Sequence, residues 1–190
     1  MTGALIGATL VGWVVLDSLA RHHAARGRKR TRLEADQGSA VFAQATGLGS
    51  LLLGLSLVRW VPSLGLPGPA WAWLAIGLPL AWAGIALRIR SVTTLGSMFN
   101  PLVAIHDDHV VVEHGPYRFL RHPSYAGVLL LWLGIGIATA NAAALVAIVS
   151  VRLAGYVRRI MVEEATLAGG LGDAYTRYAA GRSRLVPGVW

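Results

Sequence analysis

Long apolar segments constrain the fold of this chain more than any other feature. A helix needs about 20 predominantly apolar residues to cross the hydrocarbon core of a bilayer. Five segments approach that length, at residues 3–20, 41–60, 70–87, 124–140 and 142–157. Asn141 is the only polar break between the last two, which predicts a tight helical hairpin. The pattern predicts an all-α, polytopic transmembrane bundle of about five spans, folded as one membrane domain over residues 1–190.

The composition agrees with a membrane protein. Apolar residues make up 55% of the chain and charged residues 14%, whereas soluble domains average about 25% charged residues. There is no cysteine, which excludes disulfides, thiolate metal sites and a thiol nucleophile. The net charge of +8 is concentrated beside the first apolar run, where six basic residues lie within 21–32. This predicts contact with membrane lipids and no nucleic-acid partner, because no aromatic residue there could stack on bases.

Loop charge predicts the orientation. Residues 21–38 are strongly basic, while the loop at 61–69 has no Lys or Arg. The basic loop is expected in the cytoplasm and the other outside. The first apolar run lacks a basic segment before it, so it is interpreted as a retained span with an external N-terminus. Residues 91–123 and 163–190 are then cytoplasmic, and the composition resembles that of a bacterial inner-membrane protein.

The first polar cluster is HGPYRFLRHPSY, residues 114–125, directly before the fourth apolar segment. Pro123 suits the first position of a helix, and the free N–H groups of a helix start favour an anion. Arg118, Arg121 and His122 add further donors. A basic anchor for lipid headgroups is the alternative interpretation.

The second cluster is EEATLAGGLGDAYTRY, residues 163–178, after the fifth apolar segment. Glu163 and Glu164 could mark the membrane interface or pair with nearby arginines. As functional residues they would bind a cationic group. A zwitterionic amino-acid moiety would fit between the two clusters, with its carboxylate facing the arginines and its ammonium facing the glutamates.

HGPYRFLRHPSYAG, followed from residue 163 by EEATL and later by tyrosines, arginines and a proline, resembles the isoprenylcysteine carboxyl methyltransferase family. The resemblance covers residues 88–187. That family shares its fold and cofactor site with membrane phospholipid N-methyltransferases. The resemblance implies S-adenosylmethionine as cofactor. By matching positions, it implies cofactor-binding roles for Tyr117, Leu120, Arg121, His122, Pro123, Tyr125, Gly127, Glu163, Glu164 and Tyr178.

Upstream, LRIRSVTTLGSMFN at residues 87–100 resembles the family segment that carries a catalytic arginine. The resemblance implies that role for Arg88, whose guanidinium could hold an acceptor carboxylate in bidentate fashion. An arginine there could otherwise snorkel to the headgroups. The eukaryotic members have a histidine where this chain has Pro101, which bears on the acceptor more than on the cofactor.

The expected acceptor is a lipophilic small molecule that enters from the bilayer, with a carboxylate or thiol as in an isoprenylcysteine-like compound. The alternatives are a phospholipid or small-amine N-methyltransferase, a nicotinamide-dependent membrane reductase, and a non-enzymatic membrane scaffold.

Two further polar features complete the sequence predictions. The segment HDDHVVVEH, residues 106–114, is rich in metal-ligand residue types, but we interpret it as a loop covering the cofactor and predict no metal site. Arg152 lies about 10 Å inside the fifth segment. Because a charge at that depth is costly, Arg152 should face a polar cavity or a partner; snorkelling to the headgroups is the alternative.

Overall fold

The computed structural model describes residues 2–26, 31–34, 36–106 and 110–190. Within that part of the chain the main elements are α-helices: α1 Thr2–Ala25, α2 Ser39–Trp60, α3 Ala70–Leu95, α4 Pro123–Ala138, α5 Ala142–Leu171 and α6 Asp173–Ala180. Two short strands, β1 Thr31–Glu34 and β2 Ala104–His106, pair antiparallel. They join the connection after α1 to the connection after α3. Short 3-10 helices lie at Pro62–Leu64, Gly96–Met98 and Gly115–Arg118.

The helices confirm the predicted class, a polytopic helical membrane bundle. In the described residues, three helical segments are long and apolar enough to span a bilayer, each with a mean hydropathy of 1.7: Thr2–Ala25, Ser39–Trp60 and Ala70–Met98. Helix α4 is apolar but has only 16 residues, about 24 Å of helix against a core about 30 Å thick. Helix α5 has 30 residues and includes arginines and glutamates. Complete crossing by α4 and α5 therefore stays a prediction.

Small residues bring α3 and α4 together along their length. A Cβ on Gly84 of α3 would collide with the α4 backbone at Gly127 and Leu131. Backbones that approach this closely are typical of helix packing in lipid. Helix α1 also packs against α3, and α2 packs along α5. The buried core between them is apolar and includes Ile85, Val128, Leu131, Ile135 and Ile148.

The predicted hairpin between α4 and α5 turns at Asn141. The Asn141 side-chain oxygen accepts from the backbone N–H of Ala144 at 2.9 Å, which caps α5. Its amide nitrogen donates to the carbonyl of Val61 at 3.0 Å. The hairpin is therefore fixed to the end of α2, and α4 and α5 run antiparallel.

Polar side chains gather at the opposite end of the bundle, which we call the polar end. There the end of α1 meets α3 through Asp17 and Arg88, and Arg88 meets the start of α4 at Ser124. Arg159 of α5 meets the start of α2 at Ser39. Helix α6 and the C-terminal tail lie beside the same end.

Candidate functional site

The segment before α4 is bound to the C-terminal tail by backbone hydrogen bonds. The N–H of Arg121 donates to the carbonyl of Ser183 at 2.9 Å, and the N–H of His122 donates to that of Arg184 at 3.0 Å. Pro123 is the first residue of α4, as the fixed φ of proline favours. The tail thus places its own arginines against the segment at 114–125.

Glu164 lies at the centre of the two polar clusters. Its carboxylate pairs with Arg121 at 2.9 Å, with Arg184 at 2.9 Å and with His122 Nε2 at 3.1 Å. Burial raises the pKa of Glu164, but the bonds from His122 and the two arginines outweigh it, so the pKa lies below its ordinary value. The structure therefore brings together the basic cluster before α4 and the acidic cluster of α5.

Glu163 differs from Glu164 in its surroundings. It accepts a hydrogen bond from the Tyr125 hydroxyl at 2.5 Å, and the nearest ring nitrogen of His122 is 3.9 Å away. Its side chain is 28% exposed, against 11% for Glu164. Arg159 donates to the same Tyr125 hydroxyl at 2.8 Å. Of the two carboxylates, Glu163 has the free capacity to accept from a cationic ligand.

A cavity of about 100 Å³ opens at the polar end, and we call it the outer cavity. Its apolar wall comes from Phe99, Leu102, Val103, Val111 and Leu167. Six of the residues predicted to bind a cofactor line it: Tyr117, Arg121, His122, Tyr125, Glu163 and Tyr178. The outer cavity thus combines an apolar wall with ionic groups of both signs.

The other four predicted cofactor residues lie behind this lining. The carbonyl of Leu120 accepts from the Tyr178 hydroxyl at 3.2 Å. Pro123 is fully buried at the start of α4. A Cβ on Gly127 would lie 2.7 Å from the backbone nitrogen of Arg88. These residues, with Glu164, hold the helices and arginines that form the cavity.

Unpaired donors in the outer cavity indicate what it can bind. Arg121 Nε and the Tyr175 hydroxyl are buried with no hydrogen-bond partner among the described residues, and both residues line this cavity. Burial raises the pKa of Tyr175, and it raises that of Tyr178 to about 12. Both hydroxyls stay protonated at neutral pH. A ligand with oxygen acceptors and a cationic group would satisfy the donors together with Glu163.

A second cavity, of about 520 Å³, lies deeper among helices α1 to α5, and we call it the inner cavity. Its walls are largely apolar and include Leu10, Val14, Leu48, Leu51 and Val128. Phe99, Asn100 and Tyr125 line both cavities. We call these three residues the junction. Two ligands held in separate chambers could react across it.

Arg88 lines the inner cavity near the junction. Its Nε donates to Asp17 at 2.9 Å, and its Nη1 donates to the hydroxyl of Ser124. The side chain is 11% exposed, so it does not snorkel out to solvent. Asp17 also pairs with Arg21 at 2.9 Å. The sequence reasoning missed Asp17, although a single carboxylate inside an apolar span is a signal of a buried partner.

Asp36 is a second residue that the sequence reasoning missed. It pairs with Arg159 at 3.0 Å, and it accepts from the backbone N–H of Val103 at 3.3 Å. Arg159 also donates to the carbonyl of Pro101 at 2.6 Å. Burial raises the pKa of Asp36, but its backbone donors lower it more, so the net pKa is lowered. Asp36 and Arg159 fasten the cavity loop to α2 and α5.

Part of the segment considered for metal binding, residues 107–109, lies outside the described residues. In the ranges that are described, no group of three or more His, Asp or Glu side chains could hold a metal ion. The loop at 110–112 lines the outer cavity.

Comparison with known proteins gives one family. The model of the isoprenylcysteine carboxyl methyltransferase family matches residues 75–169. Protein-S-isoprenylcysteine O-methyltransferase A of Arabidopsis thaliana is 32% identical over 145 residues, which are 74% of each chain. A probable protein-S-isoprenylcysteine O-methyltransferase of Oryza sativa subsp. indica is 34% identical over 55% of this chain. The chain spans 56% of that rice protein.

A solved structure agrees with the sequence relatives. The eukaryotic intramembrane Ras methyltransferase, an isoprenylcysteine carboxyl methyltransferase, superposes with a TM-score of 0.60 and 30% identity. The match covers 77% of this chain and 52% of that one. It therefore extends beyond the stretch that the family model covers.

Proposed function

This chain belongs to the isoprenylcysteine carboxyl methyltransferase family, and we propose that it transfers a methyl group from S-adenosylmethionine to a lipophilic acceptor in the membrane. The observation that carries the proposal is the meeting of two unlike chambers at Phe99, Asn100 and Tyr125. The outer chamber places ionic groups of both signs against an apolar wall, and the inner chamber is lined mainly by apolar side chains with Arg88 near the junction. A polar donor and a lipophilic acceptor need this pair of environments.

The residues of the outer cavity fit the amino-acid part of S-adenosylmethionine. Glu163 would accept from its ammonium, while Arg121 Nε and the Tyr175 hydroxyl would donate to its carboxylate. Both donors are buried and lack a partner in the described part of the chain. Tyr117 and the apolar wall would line the adenosine. When bound, this cofactor supplies a methyl group on a positively charged sulfur, so the donor is already activated.

The task left to the protein is alignment. Positioning two reactants for an in-line displacement supplies up to about 7–11 kcal/mol of the barrier. Arg88 is held by Asp17 and Ser124 through Nε and Nη1, which leaves Nη2 for an acceptor carboxylate. A charge-assisted hydrogen bond from Nη2 would hold the carboxylate at the junction. Arg88 is therefore the proposed catalytic residue.

The geometry supports a carboxylate or thiolate acceptor, such as an isoprenylcysteine-like compound. Such an acceptor needs no general base, whereas an amine must lose a proton. Arg88 would also repel a protonated amine at the junction. The acceptor would enter the inner cavity laterally from the bilayer. The polar end would face the cytoplasm, with the N-terminus outside, as the loop charges indicate, and a bacterial inner membrane is the proposed location.

Two measurements on detergent-solubilised protein test the proposal. Calorimetric titration with S-adenosylhomocysteine should show one saturable site. Labelled S-adenosylmethionine should then methylate N-acetyl-S-farnesylcysteine and leave phosphatidylethanolamine unlabelled. Methylation of the phosphatidylethanolamine amine would contradict the acceptor class. Absence of any S-adenosylhomocysteine binding would contradict the enzymatic function.

A further inference from the structure

The deep end of the inner cavity contains a buried cation that has no counter-ion among the described residues. Arg152 of α5 is 3% exposed and lines this cavity. No carboxylate lies within ion-pair distance of it in the described ranges. Its Nη1 donates to the carbonyl of Ala43 at 2.7 Å, and its Nη2 donates to the Tyr156 hydroxyl at 3.2 Å. The Nε has no partner within the described part of the chain.

Two indole N–H groups beside Arg152 are also unpaired. The Arg152 guanidinium lies over the Trp132 ring at 5.0 Å, and the Trp13 ring meets Trp132 edge-on at 6.3 Å. Trp13 Nε1 and Trp132 Nε1 are buried without a partner among the residues described. Both tryptophans line the inner cavity. Three buried donors that lack a partner among the described residues therefore belong to side chains that line one chamber, and a buried donor without a partner carries a free-energy penalty.

The guanidinium is seated in this position by the packing around it. A Cβ on Gly47 of α2 would collide with Arg152 Nη1 and lie 3.1 Å from its Cζ. Glycine at this position therefore makes room for the guanidinium between α2 and α5. The Tyr156 ring lies 5.0 Å from the guanidinium, and it also packs against the ring of Tyr125 at the junction, with 4.9 Å between centroids and a tilt of 35°. Arg152 is thus connected to the junction through Tyr156 and does not reach toward solvent.

Arg152 and the two tryptophans lie deeper in the bundle than the junction. Arg152 lies seven residues before Arg159 on α5, which is about 10 Å along the helix axis. Arg159 lies at the junction through its bond to Tyr125. An acceptor whose reactive group is at the junction would therefore extend its chain past Arg152, Trp132 and Trp13.

We infer that the acceptor carries an oxygen hydrogen-bond acceptor within its lipophilic chain, placed to meet Arg152, Trp132 and Trp13. This inference rests on the proposed function and specifies its substrate class. A plain hydrocarbon chain would contact the leucine and valine side chains of this chamber but would leave the three donors without partners. A carbonyl or carboxylate oxygen would accept from them, and the guanidinium favours either one.

Matched ligands test this inference by direct titration. The pair is N-acetyl-S-dodecylcysteine and the same compound with a single ketone, prepared at several positions along the chain. We expect one mid-chain ketone to bind about tenfold more tightly than the plain chain, a ratio equivalent to about 1.4 kcal/mol. Equal affinity of the plain chain and every ketone would overturn the inference, because water would then be accepting hydrogen bonds from these donors.

Variants locate the effect. Arg152→Met should abolish the preference for the ketone, and Arg152→Lys should retain part of it. The matched control is Arg158→Met, because Arg158 is on the same helix but stacks on Phe42 at 4.7 Å; its preference should equal that of the parent protein. A preference that survives Arg152→Met would overturn the inference. A separate titration with S-adenosylhomocysteine reports on the proposed function, because it needs no acceptor.

Discussion

Replacement of Asp17 by Asn tests how the proposed catalytic arginine is held. Asp17 and Arg88 form an ion pair at 2.9 Å between side chains that are 8% and 11% exposed. The amide has almost the same shape as the carboxylate but no charge. The change therefore leaves the packing of α1 on α3 in place while it removes the counter-ion of Arg88.

The expected loss of stability in Asp17→Asn follows from the contacts that Arg88 keeps after the change. Removal of one partner of a buried ion pair costs about 3–5 kcal/mol. Here the amide oxygen can still accept from Arg88, and the bond from Arg88 to Ser124 is retained. A hydrogen bond to a charged group contributes about 1.5–3 kcal/mol. We expect Asp17→Asn to reduce the free energy of unfolding by about 2 kcal/mol, within that range.

The functional consequence separates acceptor alignment from cofactor binding. Because Arg88 lines the inner cavity and not the outer one, S-adenosylhomocysteine affinity should stay within about threefold of the parent value. Methyl transfer should fall by about tenfold to a hundredfold, since misplacement by about 1 Å costs that much. The assays are reversible unfolding in mixed micelles, calorimetric titration and single-turnover methyl transfer.

The matched control is Arg21→Gln, which removes the more exposed partner of Asp17. The Arg21 side chain is 39% exposed, so its loss should cost less than about 1 kcal/mol and leave the ion pair between Asp17 and Arg88 in place. Normal stability and normal turnover in Asp17→Asn would refute the assignment of Asp17 as the residue that positions Arg88. A loss of cofactor affinity equal to the loss of turnover would refute the separation of the two cavities.

Three other predictions concern the outer cavity and its support. Tyr178→Phe removes the hydroxyl that donates to the carbonyls of Tyr117 and Leu120. It should lower the free energy of unfolding by about 1 kcal/mol and weaken S-adenosylhomocysteine binding. Parent-like values of both the free energy of unfolding and the affinity would exclude a role for this hydroxyl in supporting the cavity. Gly127→Ala would place a Cβ 2.7 Å from the backbone nitrogen of Arg88, so turnover should fall together with stability, whereas Ala at the open position Gly169 should be neutral. The pKa of Glu164 is depressed in the folded protein, so its stabilising pairs are complete above the unfolded pKa and are lost as the pH falls through the lower folded pKa. Cofactor affinity should therefore persist at pH 4.5 and decline below it. Glu164→Gln should remove this pH dependence.

The apolar character and length of the segments were enough to predict the bundle. The spans at residues 41–60 and 70–87 correspond to α2 and α3, and Asn141 turns the hairpin between α4 and α5. Helix ends were less predictable, because α5 continues past its apolar part to Leu171. The glutamates that the sequence placed after a span are therefore part of the helix itself. This continuity gives Glu163 and Glu164 fixed positions against the start of α4.

The motifs predicted which segments form the site, but they did not separate lining from support. Glu163 and Glu164 are adjacent in sequence, yet one lines the outer cavity and the other is surrounded by Arg121, His122 and Arg184. Asp17 and Asp36 were missed because their partners are distant in the chain, Arg88 and Arg159. Long-range pairs of this kind depend on how the helices pack, which local patterns do not encode.

The most direct test of the central claim, that the two polar clusters form one cofactor site, is a calorimetric titration of three variants with S-adenosylhomocysteine. His122→Ala and Glu164→Ala each break the cluster, while Glu113→Gln removes an exposed ion pair with Arg182 at 3.0 Å outside it. We predict that each of the first two loses about a hundredfold in affinity or more, equivalent to about 2.8 kcal/mol, and that the third binds like the parent protein. Parent-like affinity in both His122→Ala and Glu164→Ala would contradict the account.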